Sequence, residues 1–211
     1  MKKTLAIICL YNKEKTIKEV ATTACDYYFD KVIVVNDGST DATTNILNGL
    51  HYLPSLKYIA LPENKGKGYT MATGLENSTG EIIGFIDADL SNLKEEHFKQ
   101  LITPISSKEA GMVSGQATET LISFKINPFK SFTGERALLK QDVLTILDEM
   151  RTSKSDVETL INLHYQAMGK RVKYVMLEGL KHPARFDKGI SKSKAIKEFC
   201  IGRASNCLNI V

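Results

Sequence analysis

Residues 80–92 read GEIIGFIDADLSN. The run 81–86 carries Ile82, Ile83, Phe85 and Ile86 without polar alternation, as expected of a strand covered on both faces. It leads into two aspartates, Asp87 and Asp89. Side chains two apart on a strand share a face, so both carboxylates are expected to converge on one point. Two carboxylates held together repel unless a proton or a cation lies between them. Mg²⁺ or Mn²⁺ suits such a pair, because a hard dication takes oxygen ligands and completes its shell with water and phosphate oxygens. Taken alone, the same pattern also reads as a turn cap followed by a helix start. Its surroundings decide.

Outward from this strand the chain alternates. TLAIICL (4–10), KVIVVN (31–36) and LKYIAL (56–61) are further apolar runs. Between them, residues 13–25 have helical spacing. A turn at Asp37-Gly38 restarts as a helix with Thr40 or Asp41 as N-cap. Residues 65–78 form a loop becoming a helix. This order predicts an α/β fold: a single Rossmann-like domain with a mostly parallel central sheet and helices on both faces. Ligands bind such sheets beyond the carboxyl ends of the strands. Tyr11–Glu14, Asn36–Gly38, Asn64–Gly68 and Asp87–Asp89 all fall there. Further on, residues 95–105 are amphipathic, 111–124 read as strand, 134–150 and 155–169 as helices, and 170–179 as a last strand.

Bulk properties narrow the partners. The 211 residues carry a net charge of +4, which suits a phosphorylated ligand or an anionic surface and is too weak to argue nucleic acid. Cys9, Cys25, Cys200 and Cys207 form no C-x-x-C pair, which reads as reduced, cytoplasmic usage. The opening MKKTLAIICL reads as a buried strand rather than a signal peptide. No segment has the length of a transmembrane helix.

The other segments add chemistry. Asp37 offers a carboxylate that accepts a hydrogen bond from a base N–H, although N-D-G is also plain turn chemistry. In ENKGKGYTMATG, Gly66 and Gly68 let backbone approach a ligand closely. Lys65 and Lys67 supply point charges suited to phosphate, ahead of a helix N-terminus. Neither the Walker spacing nor the dinucleotide fingerprint is present.

In this order, YNKEKTI, VVNDGSTDAT, NKGKGYTMATGL and GEIIGFIDADL resemble the family-2 nucleotide-sugar glycosyltransferases, whose single Rossmann-like domain (the glycosyltransferase A fold) carries a D-x-D metal site. The resemblance implies that Leu10, Tyr11, Glu14 and Asp37 lie around base and ribose, and that Gly66 and Lys67 approach the phosphates. It implies that Asp87 and Asp89 hold Mg²⁺ or Mn²⁺, with Asp89 the surer ligand. Leu10 stands where a proline is usual, and Asn36 where an aspartate is usual. The implied donor is a UDP- or GDP-sugar, and residues 1–211 form one domain: a nucleotide-sugar half (1–93), an acceptor half (94–190) and a basic amphipathic tail (191–211).

The second half resembles polyprenyl-phosphate sugar transferases and glucosyl-3-phosphoglycerate synthases more loosely. SFTGERALLKQDV, SDVETLINLHYQAMG and GLKHPAR carry that likeness. It implies a catalytic carboxylate in Glu158 and His182 as a third metal ligand. Thr133, the added acid Glu135 and Asp156 depart from the pattern, and if an acid must deprotonate the acceptor then Glu135, Asp156 and Glu158 are the candidates. Arg136, beside Gly134, offers a guanidinium that matches an acceptor phosphate. On the residues alone, Arg136 reads equally as a helix-surface charge and Glu158 as a capping acid. Phenylalanines and lysines interleave in SFKINPFKSF (123–132). The tail mixes Lys192, Lys194, Lys197 and Arg203 with Ile196, Phe199 and Leu208, which suits peripheral contact with an anionic membrane, packing on its own domain, or a homodimer. Two rival readings stand beside a transferase: a non-catalytic nucleotide-sugar-binding module, and a haloacid-dehalogenase-like phosphatase, whose D-x-D normally follows the first strand.

Overall fold

A computed structural model describes residues 3–119 and 134–181. The chain alternates β1 (Thr4–Leu10), α1 (Ile17–Asp26), β2 (Lys31–Asn36), α2 (Thr43–Asn48), β3 (Leu56–Ala60), α3 (Lys67–Glu76), β4 (Ile82–Asp87) and α4 (Glu95–Ser106). β5 (Met112–Glu119), β6 (Arg136–Leu139), α5 (Lys140–Val143), a 3₁₀ turn (Leu144–Ile146), α6 (Leu147–Thr152), α7 (Val157–Ala167) and β7 (Val172–Lys181) follow. The strands form one sheet in the order β3-β2-β1-β4-β6-β5-β7.

β1 explains the unbroken apolar runs. Ala6, Ile8 and Leu10 face a core shared with Val20, Ala24 and Leu47. Leu5 and Ile7 face the opposite core, with Met71, Leu75 and Tyr165. Both faces are dry, so alternation has no place in the sequence. β1 runs parallel to β2 on one side and β4 on the other, with Leu10 beside Asn36 and Cys9 beside Asp87. The chain steps from β1 to β2 and β3 in one direction, then returns to place β4 on the other flank. The carboxyl ends of β1 and β4 therefore frame the switch point where sheets of this kind take ligands.

One element differs from expectation. Residues 136–139 form a strand, antiparallel to both β4 and β5, with Ala137 opposite Gly84 and Val113. The helix begins only at Lys140. Ala137 and Leu138 are fully buried, and the open edge of β4 needs a hydrogen-bonding partner. That demand overrides the good helix propensity of Arg-Ala-Leu-Leu.

β7 is fixed beside the turn after Asp89. His97, buried in α4, accepts from the Lys94 amide through Nδ1 at 3.1 Å, and its Nε2 donates to the Glu178 carbonyl at 3.0 Å. Asn92 donates to the Gly179 carbonyl at 2.7 Å.

Candidate active site

A cleft of about 310 Å³ opens at the carboxyl ends of β1, β2 and β4. Leu10, Tyr11, Asp37, Gly66, Lys67, Asp87 and Asp89 all line it. So do Lys13 and Cys9, which sequence reasoning did not single out.

β4 ends at Asp87, and Asp89 lies in the turn beyond. Strand geometry therefore directs Asp87 alone; the turn delivers Asp89 to the same cleft. Each acid carries its own ammonium group. Lys67 Nζ is 2.8 Å from Asp87 Oδ1 and 2.6 Å from Glu158 Oε1. Lys13 Nζ bonds Asp89 Oδ2. Burial works against the charge on Lys67, but Asp87 and Glu158 outweigh it and hold the ammonium well above its ordinary pKa. Lys67 thus ties the end of β4 to the first turn of α7. Gly134 closes the group from the far side: a Cβ there would land on the Asp87 carboxylate.

Among the described residues, no three His, Cys, Asp or Glu side chains cluster as a complete metal cage. The two aspartates nevertheless fit Mg²⁺ or Mn²⁺, since such ions use one or two carboxylates plus substrate phosphates and water rather than an all-protein shell. His182 lies outside the described residues, as do the phenylalanine-lysine segment 123–132 and the tail 191–211.

Asp37 is 3% exposed. Its Oδ1 accepts from the Lys65 amide at 2.7 Å and its Oδ2 from the Gly66 amide at 2.9 Å. It fastens the Lys65–Gly68 loop before any base arrives, and each oxygen keeps one lone pair for a ligand. Asn36 beneath it donates to Thr44 Oγ1 at 3.1 Å and Tyr58 Oη at 3.0 Å, and accepts from the Ser39 amide at 3.0 Å. Hydroxyls donate as readily as they accept, which explains why asparagine serves where aspartate is usual.

The two loop glycines also serve a neighbour within the protein. Gly66 has φ +91° and its missing Cβ faces Lys154 Cα at 3.4 Å. A Cβ on Gly68 would meet the Met150 carbonyl and, at 2.5 Å, Ser153 Oγ. The Gly68 amide donates to the Lys154 carbonyl at 2.8 Å. Both glycines admit the turn between α6 and α7, and Gly66 lines the cleft as well.

Glu14 is exposed and is not on the cleft wall; its Oε2 accepts from the Ala42 amide at 3.0 Å, and Asp41 Oδ1 accepts from Thr43 at 3.0 Å. Together they cap α2. A little burial works against the charge on Asp41, and hydrogen bonds from Thr43 and the Glu14 amide outweigh it, holding the carboxyl below its ordinary pKa. Cys9 is the reverse case: burial pushes its thiol up to about 12, against a hydrogen bond with Thr70 and the nearby Lys67.

Two residues expected at the site lie behind it. Arg136 is 0% exposed. Its Nη1 donates to the Glu158 carbonyl at 3.2 Å and Asn162 Oδ1 at 3.4 Å. Burial lowers its pKa, opposed by Glu158, Asp87 and Glu135. It is neither a surface charge nor an open phosphate clamp; it anchors α7, which presents Glu158. Glu135 is 2% exposed and is not on the cleft wall. Asp156 is exposed at the N-cap of α7. Arg136 stands in a four-residue run of good helix formers, and nothing local marks it as a strand position with a buried side chain.

Residues 5–175 match the family model described as Glycosyl transferase family 2. The chain belongs to that family. It is 34% identical over 111 residues to a dolichyl-phosphate beta-glucosyltransferase of Trichomonas vaginalis, covering 49% of this chain and 33% of that one. It is 30% identical over 148 residues to a UDP-N-acetylglucosamine–dolichyl-phosphate N-acetylglucosaminyltransferase of Methanococcus voltae, covering 63% and 59%. The match spans only 33% of the length of each of the first two curated relatives. Among solved structures, glucosyl-3-phosphoglycerate synthase from Mycobacterium tuberculosis, in complex with Mg²⁺ and UDP, superposes with a TM-score of 0.69 at 20% identity over 94% of this chain and 78% of that one. That likeness is one of fold, and the fold is the glycosyltransferase A type expected.

Among the described residues, no helix is long and apolar enough to cross a membrane.

Proposed function

We propose that the chain transfers a sugar from a UDP- or GDP-sugar to an acceptor, with Mg²⁺ or Mn²⁺ held by Asp87 and Asp89. The observation that carries this reading is the meeting of both aspartates, Lys67, Asp37 and Tyr11 on one cleft at the switch point. Bound there, the cation would supply charge stabilisation for the departing nucleoside diphosphate. The protein's own groups do the rest. Asp37 holds the loop whose Gly66 and Lys67 flank the diphosphate. Leu10 and Tyr11 flank base and ribose. Lys67 offers an ammonium to the diphosphate while staying within reach of Asp87. Of the three candidate bases, Glu158 is best placed, since it shares Lys67 with Asp87; an already ionised phosphate acceptor needs little help from it.

The acceptor is phosphorylated, either a lipid phosphate or a small phosphorylated acid. The relatives named above support the first and the solved synthase the second. The donor site belongs to residues 1–93, the acceptor side to 94–190, and the tail 191–211 meets an anionic membrane. Co-sedimentation with anionic liposomes, with and without residues 191–211, tests the tail; equal recovery in the supernatant ends that idea and leaves packing on its own domain or a homodimer.

Thermal unfolding with UDP-, GDP- and dTDP-sugars, with and without Mn²⁺, tests the donor reading. A ligand at one hundred times its Kd is expected to raise Tm by roughly 5–10 °C. Asp89→Asn should remove the metal-dependent part and keep the fold. If no donor shifts Tm in the presence of Mn²⁺, the reading is wrong.

A further inference from the structure

Gln116 of β5 is 6% exposed, and its carboxamide has no hydrogen-bond partner among the described residues. Neither of its polar atoms is both sealed from solvent and unbonded, so the carboxamide reaches open space. An amide this deep without a partner costs about 1–3 kcal/mol. A leucine at the same strand position would carry no such cost.

Its neighbours fix its direction. Met112 belongs to the core under α7, while Val113 and Ala117 belong to the opposite core. Alternation puts Gln116 on the α7 face. Asp87 shares that face, being two residues beyond Phe85. Ser114 pairs with Arg136, and the Gly115 amide donates to the Glu135 carbonyl at 2.8 Å. That register sets Gln116 beside Gly134, with Met176 of β7 on its other side. Gly134 has no side chain, and the Asp87 carboxylate lies where its Cβ would be. Facing Cβ positions on antiparallel strands are about 5 Å apart, so the stem of Gln116 starts about that far from the carboxylate. The two groups do not bond each other, and a ligand oxygen fits between them. The cleft wall ends at Asp87 on this side; Gln116 stands just beyond it. Lys67, Asp87, Glu158 and Arg136 are tied to one another or to the backbone of α7. Gln116 is neutral, and it both gives and takes a hydrogen bond.

An oxygen lying between a carboxylate and a carboxamide accepts from Nε2 and turns a hydrogen toward the carboxylate. A hydroxyl does both, whereas a phosphate oxygen is repelled by Asp87. Where Asp87 stands at the diphosphate, the group next in line is the sugar joined to it. We propose that Gln116 is a specificity-determining residue whose carboxamide donates to a hydroxyl of the donor's sugar and takes no part in holding the nucleoside diphosphate. The inference rests on the donor reading above. A carboxamide left unpaired until its substrate arrives lowers stability but rejects sugars that lack the matching hydroxyl.

The test is calorimetric binding of the full chain, with Mn²⁺ present, to UDP, GDP, UDP-glucose, UDP-N-acetylglucosamine and GDP-mannose. The readout is the affinity of the nucleotide sugar that the wild type binds most tightly, divided by that of its free nucleoside diphosphate. Gln116→Leu nearly keeps the size and removes the amide. It should lower that ratio about three- to tenfold while leaving the nucleoside diphosphate within about twofold. Without ligand it should unfold at the same or a higher temperature, because an unpartnered polar group is gone. Gln116→Met should repeat both results. An unchanged ratio, an equal loss for nucleotide sugar and nucleoside diphosphate, a ligand-free Tm lowered in both variants, or a wild type that binds only the free nucleoside diphosphates overturns the role of Gln116 while the nucleotide site stands. A wild type that binds none of these ligands overturns the donor reading and the role of Gln116 together.

Discussion

The two flanks of the switch point hold the cleft in different ways. On the β1–β4 flank, most fastenings join neighbouring strand-end loops. Asp37 binds the Lys65 and Gly66 amides, Asn12 accepts from the Thr40 amide at 2.9 Å, and Glu14 caps α2. On the β6–β5–β7 flank, the groups that touch Asp87 and Lys67 from behind the cleft wall are delivered over long chain distances and from depth. Gly134 is set against Asp87, and Glu158 is presented by a helix anchored on the fully buried Arg136. The first flank uses short polar motifs that a sequence displays openly. The second uses buried geometry that it does not.

If the deep flank is a true foundation, Arg136→Ala should cost the most. Removing a buried cation that serves α7 is expected to lower the unfolding free energy by about 3–5 kcal/mol, read by urea denaturation. A loss under 1 kcal/mol would make Arg136 a passive occupant and dissolve the contrast. Gly134→Ala should leave stability nearly intact, because the group it displaces is the end of a side chain. Moving Asp87 should still reduce sugar transfer by about a hundredfold, measured as nucleoside diphosphate release. On the shallow flank, Asp37→Asn replaces one acceptor oxygen with a donor that faces an amide. It is expected to cost about 1–3 kcal/mol and to speed hydrogen exchange at Lys65 or Gly66.

The smallest effect belongs to the α2 cap. Asp41 titrates below its ordinary pKa in the folded chain. Its contribution is therefore present above the unfolded value of about 3.9 and is lost as pH falls through the folded value. Asp41→Asn should flatten Tm against pH below about pH 5; an unchanged slope would mean that the cap carries no weight.

This contrast also sets what could be read beforehand. Four apolar runs, each followed by a polar cluster, were enough for a parallel sheet and for the position of the cleft, because burial on both faces removes alternation. Asp37, Lys67, Asp87 and Asp89 were legible as cleft residues because each follows a strand end. The strand at 136–139 was hidden by residues that favour helix, and its pairing is decided by the vacant edge of β4. Arg136 was hidden with it. Lys13 was overlooked beside Glu14, since nothing local tells which of two adjacent charges turns inward. The glycines at 66 and 68 were legible as places of close approach, but the turn at 150–154 that also needs them lies too far along the chain to be read from the loop.

The contact between Gly68 and Lys154 bears on engineering. Chimeras that graft the second half of one relative onto the first half of this chain cut through it, together with Arg151, whose guanidinium lies 4.9 Å from the Tyr69 ring. A splice near residue 93 would separate the start of α3 from the turn that seats it. Exchanges intended to alter the acceptor should therefore carry residues 150–154 over from the host, even though that turn does not line the cleft.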